Sequence, residues 1–198
     1  MGWLNGIRPA IASFRWRSCR SFATSKPRFV NWHANAAINM PIPVWKEYEQ
    51  GQARASYTAA TFATLGQFIP HLIFTGVFER YPKLNWVCAE TGMGWLPPVM
   101  DICDHIWERD HLWTQGIPTR PSDQIRRQVH MSLWYEHDGL NIRDKIGVDN
   151  IMWMTDFPHN VSTYPNTWKA VERVFAGVPD HERKQMLYEN FLRLYRLN

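Results

Sequence analysis

The sequence predicts an α/β fold in which helices cover a parallel β-sheet, and three observations carry this prediction. Four short apolar runs are nearly continuous, which is typical of strands with both faces buried. Longer stretches with apolar residues at helical spacing separate these runs. Three of the runs end in an ionisable residue, at the point where α/β barrels and open α/β sheets build their active sites.

The predicted strands cover residues 29–33, 84–90, 129–134 and 151–156. The first ends at His33, the second at Glu90 and the fourth at Asp156, while Glu136 follows the third. A charged group at the end of an apolar strand is costly unless it is paired, hydrated or bound to a metal, so its recurrence indicates a site. We expect His33, Glu90 and Asp156 to point into one cleft, within about 10–12 Å of one another.

Three further residues have candidate roles beside these strands. His159 comes shortly after Asp156, so we expect it at the mouth of the cleft and predict that it contacts substrate. Trp95 stands near the start of a helix, where it either lines the pocket or packs in the core. His130 lies inside the third strand and is interpreted as a core or pocket-lining residue.

Four helices are predicted between and after the strands. The first covers residues 54–80 and ends before Pro82, since proline cannot continue a helix. The second covers residues 94–111. The third ends at Gly177 and the fourth begins at Asp180. Their predicted buried faces consist of Trp168, Val171 and Phe175 in the third helix, and of Leu187, Phe191 and Leu194 in the fourth.

The composition fits one globular domain. The chain has 198 residues, of which 45% are hydrophobic and 20% charged, and no apolar run is long enough for a transmembrane helix. Its three cysteines include no C-x-x-C pair and cannot build a disulfide framework, so we expect reduced thiols in a cytoplasmic protein. Eleven tryptophans predict an aromatic core, an aromatic-lined pocket, or both.

The basic character of the chain is confined to its N-terminal segment. Residues 1–46 carry seven Lys or Arg and no acid, whereas the rest carries 15 Lys or Arg against 18 Asp or Glu. The tail, residues 1–28, is predicted to be disordered or unrelated to the fold of residues 29–198. Its Arg- and Ser-rich, acid-free composition is also typical of a mitochondrial targeting segment. Nucleic-acid binding is a third interpretation, but the mildly acidic body predicts neither a nucleic-acid nor a membrane partner.

Two long segments resemble the amidohydrolase-related family of metal-dependent hydrolases and decarboxylases. Residues 76–95, GVFERYPKLNWVCAETGMGW, resemble the region of its sixth strand, and residues 147–159, GVDNIMWMTDFPH, resemble its eighth. The ending ENFLRLY, residues 189–195, is similar to its closing helix. The family includes aminocarboxymuconate-semialdehyde decarboxylase and resorcylate-type decarboxylases, alongside C–N and C–O hydrolases.

This resemblance implies a TIM-type (β/α)₈ barrel with a divalent metal, zinc or manganese. It implies His33 and Asp156 as metal ligands, at the positions of the family's fifth-strand His and eighth-strand Asp. Glu90 occupies the position of a sixth-strand His that is often catalytic in the decarboxylases. With a metal bound, Asp156 and Glu90 are candidate acid/base groups. From their places in the sequence, His159 and Trp95 are candidate substrate contacts.

The length and the motifs together predict a partial barrel. A full barrel takes about 250 residues, and the chain has no His-x-His pair of the kind that supplies two metal ligands in the family. We therefore expect about strands 5–8 of the barrel, with open sheet edges and self-association. Two functions stay open. One is a metal-dependent hydrolase or carboxy-lyase acting on a small carboxylated or cyclic substrate, and the other is a catalytically inactive fragment with at most a binding role.

Overall fold

The computed structural model describes residues 28–33 and 65–197, together with residues 51, 52, 55, 56 and 59. Predictions about the tail therefore lie outside the described residues, except at Arg28, which begins the first strand. Among the described residues, no helix combines the length and apolar character needed to cross a bilayer.

Four parallel strands form one sheet in the order β1-β2-β3-β4. The strands are Arg28–His33 (β1), Leu84–Ala89 (β2), Val129–Leu133 (β3) and Ile151–Trp153 (β4). The predicted α/β fold with a parallel sheet is thus confirmed, and each strand lies within a predicted run or extends it by one residue. β4 ends earlier than predicted, so Asp156 lies three residues beyond its last strand residue.

Nine α-helices connect or follow the strands within residues 65–197. They are Phe68–Phe74 (α1), Val77–Arg80 (α2), Leu96–Arg109 (α3), Pro121–Gln128 (α4), Asp138–Asn141 (α5), Arg143–Ile146 (α6), Thr167–Val174 (α7), Asp180–Lys184 (α8) and Asn190–Tyr195 (α9). Proline at the start of α3 and α4 suits their first turns, because its missing N–H would have no partner there.

The two faces of the sheet have different chemistry. One register row joins Trp32, Cys88, Met131 and Ile151, which are all buried in the main hydrophobic core. Because successive side chains of a strand alternate between faces, the neighbouring rows project to the opposite side. That second face carries polar groups on three strands, namely Asn31, His33, Asn85, His130 and Ser132. Polar groups on the side away from the core agree with a face that surrounds a site.

The first predicted helix, residues 54–80, is wrong as a single element. Its described part is divided into a short 3₁₀ turn, Leu65–Gln67, followed by α1 and α2. Gly76 separates the two helices with φ of 72°, a left-handed conformation that glycine adopts without steric cost. The predicted end before Pro82 is confirmed, because α2 ends at Arg80.

The predicted buried face of the last helix is also wrong. A π-helical turn, Gln185–Glu189, joins α8 to α9 and changes the angular spacing of the residues that follow it. Met186 and Asn190 are the buried residues, because the Asn190 amide binds carbonyl groups beside β4, whereas 45% of Phe191 is exposed and Leu187 and Leu194 are half-buried. The preceding helix, α7, buries Val171 as predicted and packs Phe175 behind it, but its Trp168 is 73% exposed.

The C-terminal helix reaches the first strand of the sheet. The Asn190 side-chain amide donates to the carbonyl oxygens of Val148 and Ile151, both at 2.7 Å, which fastens the helix beside β4. Tyr195 stacks on Phe29 of β1, with ring centroids 5.2 Å apart, and its hydroxyl donates to Asn31 at 3.0 Å. The helix therefore connects the two edge strands of the described sheet.

Candidate functional site

Glu90 and Asp156 share an uncommon backbone conformation just beyond their strands. Their φ values are 57° and 56°, in the left-handed region that residues other than glycine rarely adopt. Such a conformation costs on the order of 1 kcal/mol, so surrounding contacts have to hold it. At Glu90 the backbone N–H donates to the Ser132 hydroxyl at 3.1 Å, and that hydroxyl donates to the Cys88 carbonyl at 2.8 Å.

Asp156 and His159 form a pair within the loop that follows β4. The two side chains approach at 3.0 Å between His159 Nδ1 and Asp156 Oδ2. A backbone turn brings them together, because the His159 N–H donates to the Asp156 carbonyl at 2.8 Å. The Asp156 side chain is 6% exposed and the His159 side chain 62%. A buried carboxylate thus orients an imidazole that faces solvent.

Glu90 completes a cluster of three potential ligands with this pair. One oxygen of Glu90, one of Asp156 and one ring nitrogen of His159 all lie within 4.8 Å of one another. Two carboxylates and an imidazole are donors that zinc and manganese accept. The chemistry of these donors therefore fits a divalent cation.

His33 joins the cluster through Glu90. Its Nε2 lies 2.7 Å from Glu90 Oε2, and the two side chains are 44% and 26% exposed. The loop after β2 thus places Glu90 between the end of β1 and the loop after β4. The structure brings together His33, Glu90, Asp156 and His159, the four ionisable residues that the sequence singled out for one cleft.

Trp95 has a different setting, immediately before α3. Its indole N–H donates to the Thr91 carbonyl at 3.0 Å, and the half-buried ring packs against the main core. These contacts show that Trp95 packs against the core, which is one of its two predicted roles. Its role as a substrate contact stays a prediction.

Glu136 has a place near the site to which the sequence assigned no role. Its carboxylate accepts the backbone N–H groups of Met93 and Gly94, at 2.7 and 3.3 Å. Burial raises the pKa of Glu136, and the two N–H donors partly offset that rise. Ser132, which holds the Glu90 backbone, was likewise not predicted. The only sequence signal for Glu136 is an acid directly after an apolar strand, the same signal that marks Glu90.

His130 is held in the sheet and away from the cluster of ligands. Its Nε2 lies 3.0 Å from Asn85 Oδ1 on the neighbouring strand. Burial, and secondarily the charge of Arg193, lowers the pKa of His130 to about 4. These contacts agree with its interpretation as a core or pocket-lining residue.

A family model described as Amidohydrolase matches residues 58–197 of the chain. The match covers the loops that carry Glu90, Asp156 and His159, together with helices α1 to α9. No curated protein matches the chain.

Solved structures share the fold over part of their length. Amidohydrolase map2389c from Mycobacterium avium subsp. paratuberculosis K-10 is 22% identical, with a TM-score of 0.62 over 73% of this chain and 36% of its own. The 5-carboxyvanillate decarboxylase LigW from Sphingomonas paucimobilis is 19% identical, with a TM-score of 0.58 over 70% of this chain and 41% of its own. A dihydroxybenzoic acid decarboxylase from Polaromonas sp. JS666, with bound manganese and 2-nitroresorcinol, is 20% identical, with a TM-score of 0.55 over 77% of this chain and 48% of its own.

At such identities the likeness establishes the fold alone. This chain spans less than half the length of each of the three solved proteins. The partial coverage agrees with the predicted partial barrel, while the numbering of its strands as 5–8 stays a prediction.

Proposed function

The chain belongs to the amidohydrolase family, and from this membership we propose that it is a metal-dependent hydrolase or carboxy-lyase. Its proposed substrate is a small carboxylated or cyclic molecule. The family model over residues 58–197 supports the reaction class. The decarboxylases among the structures with this fold support a carboxylated substrate, and the manganese in one of them supports a divalent metal.

The cluster of Glu90, Asp156 and His159 is the observation that carries this proposal. Three donors within 4.8 Å, one of them a buried carboxylate, form a compact set for one cation. Asp156 and His159 would hold the metal together with Glu90. His33 either joins as a further ligand or stays paired with Glu90 and orients it, as residues behind the ligands commonly do.

The chemistry divides between the metal and the side chains around it. When bound, the divalent metal supplies Lewis-acid polarisation of a substrate oxygen. Asp156 and Glu90 are the candidate groups for accepting and returning a proton at their carboxylate oxygens. His159 has the role of a ligand in this proposal, in place of the substrate contact predicted from the sequence. Trp95, whose indole N–H donates to Thr91 of the same loop, is the candidate aromatic contact of the substrate.

A second candidate function is ligand binding without turnover. The absence of any His-x-His pair from the sequence favours it, since the family pattern takes two metal ligands from that pair. A chain of this kind would bind a carboxylated ligand or a metal weakly and release no product. Metal content and turnover separate the two candidates.

The experiment that tests the proposal measures bound metal and catalysis in the same preparations. Wild-type protein is loaded with Mn²⁺ or Zn²⁺, dialysed and analysed for metal by mass spectrometry. It is then assayed against small aromatic carboxylates for CO₂ release and against cyclic amides and esters for hydrolysis. We expect near one metal per chain and turnover of at least one substrate class.

A matched pair of variants locates the site. His159→Gln removes a proposed ligand, whereas His181→Gln changes an exposed histidine of α8. We expect metal loss in the first variant and wild-type metal content in the second. Equal metal content in both would contradict His159 as a ligand. Stoichiometric metal without turnover of any substrate class would favour the binding-only candidate.

A further inference from the structure

The loop that carries Glu90 is held at both ends by residues of β3 and its extension. At one end the Ser132 hydroxyl accepts the Glu90 N–H at 3.1 Å. At the other end the Glu136 carboxylate accepts the N–H groups of Met93 and Gly94. Between the two ends, the buried Thr91 hydroxyl donates to the Gly92 carbonyl at 2.8 Å. Residues 90–94, called here the Glu90 loop, thus have two anchors on the neighbouring strand and its extension, and the Trp95 indole adds a third at the Thr91 carbonyl.

Gly92 shows how closely the Glu136 carboxylate is seated against this loop. A Cβ atom added at Gly92 would lie 2.6 Å from both carboxylate oxygens of Glu136, and the φ of Gly92 is 63°. Glycine at position 92 therefore leaves room for the Glu136 carboxylate, and a side chain there would have to displace it and adopt an unfavourable backbone conformation. Two N–H groups directed at one carboxylate also form the kind of concave anion site that successive backbone amides build.

We propose that Glu136 is a positioning residue that fixes the Glu90 loop and thereby holds the Glu90 carboxylate beside Asp156 and His159. The inference rests on the proposed metal site and extends it to a residue outside the cluster of three ligands. Glu90 needs such support, because its left-handed backbone is unfavourable by itself. Ser132 fixes the N–H of Glu90, and Glu136 fixes the N–H groups of Met93 and Gly94 in the chain that leaves it.

The charge and the shape of Glu136 both contribute to this role. A carboxylate offers acceptor oxygens on both sides, so it satisfies two N–H donors together. Glutamine at this position has the same size, but its NH₂ group would face one of the two N–H donors. Glu136→Gln is therefore expected to release one end of the loop without opening a cavity.

The test compares Mn²⁺ affinity of the full chain with that of two variants by titration calorimetry. In Glu136→Gln we expect Mn²⁺ to bind about tenfold or more weakly, the usual scale for residues behind the ligands. The matched control is Asp104→Asn, since Asp104 also accepts a backbone N–H, that of Ser122 at 2.9 Å, and pairs with Arg120. It should lower the thermal midpoint of unfolding and leave Mn²⁺ affinity at the wild-type value.

A second readout keeps this inference separate from the proposed function. Amide hydrogen exchange of the metal-free protein should be faster at Met93 and Gly94 in Glu136→Gln than in wild type. Wild-type affinity in Glu136→Gln, an equal loss of affinity in Asp104→Asn, or unchanged exchange in the loop would overturn the role of Glu136. A wild-type chain that binds no Mn²⁺ would instead overturn the proposed metal site, and exchange at Met93 and Gly94 would then decide the role of Glu136 alone.

Discussion

The carboxylate of Asp156 lies 3.0 Å from Nδ1 of His159, and only the imidazole of this pair reaches solvent. The pair comes from one backbone turn, because the same two residues also form a backbone hydrogen bond. The turn places a buried anion beneath an exposed ring. Substitutions in the loop after β4 are therefore expected to affect metal binding directly.

Asp156→Asn should separate metal binding from folding. Asparagine has the size of aspartate and also tolerates the left-handed backbone found at position 156, so the fold should persist. An amide is a much poorer metal ligand than a carboxylate, so Mn²⁺ should bind at least about tenfold more weakly. Calorimetry measures the affinity, and thermal unfolding followed by circular dichroism measures the fold. A variant with intact Mn²⁺ affinity would rule out Asp156 as a ligand.

The left-handed backbone of Glu90 leads to a prediction on stability. Glu90→Ala and Glu90→Gly both delete the carboxylate and its contact with His33, so their difference isolates the backbone conformation. The glycine variant should be more stable by about 1 kcal/mol, because a Cβ atom is unfavourable at positive φ. Urea unfolding of the two variants measures this difference. An alanine variant as stable as the glycine variant would show that the loop relaxes.

His130 should make the protein less stable in acid. Its pKa is lowered to about 4, so the unfolded chain, with a histidine pKa near 6.5, binds a proton more readily than the folded chain. The stabilising contribution is therefore present above about pH 6.5 and is lost as the pH falls towards about 4. Over this pH range the free energy of unfolding should fall by up to about 3 kcal/mol less in His130→Gln than in wild type. Urea unfolding across this range checks it, and an unchanged pH profile would contradict it.

Asn190 should be needed to attach the C-terminal helix to the sheet. Asn190→Ala leaves the carbonyl oxygens of Val148 and Ile151 without this donor in a buried place. The expected loss is about 2 kcal/mol in the free energy of unfolding. Asn141→Ala, at an exposed position of α5, should cost less than about 0.5 kcal/mol. Similar losses in the two variants, measured in urea, would mean that the helix is held by its other contacts.

The edges of the sheet lead to a prediction of self-association. In the described sheet β1 and β4 are the outer strands, and an outer strand presents unpaired backbone groups to other chains. We expect dimers or larger species in solution, with a size that increases with protein concentration. Light scattering over a range of concentrations measures this. A monodisperse monomer at all concentrations would mean that the edges are covered in another way.

The sequence by itself determined the sheet, the family and the convergence of the site. Continuous apolar runs locate β1 to β4, because a short run of this kind is typical of a parallel strand with both faces buried. Parallel strands then bring their carboxyl ends to one edge, so residues such as Glu90 and Asp156 had to come close together. The family resemblance was confirmed by the match over residues 58–197.

Only the tertiary structure decided the details that depend on contacts between distant segments. The hydrogen bonds from Asn190 to Val148 and Ile151 decide which side of the last helix is buried, and an apolar periodicity cannot anticipate a buried polar residue. The acceptor role of Glu136 depends on N–H groups more than 40 residues earlier in the chain. No local sequence pattern predicts this contact, because it forms only when β2 and β3 pair and bring the loops that follow them together.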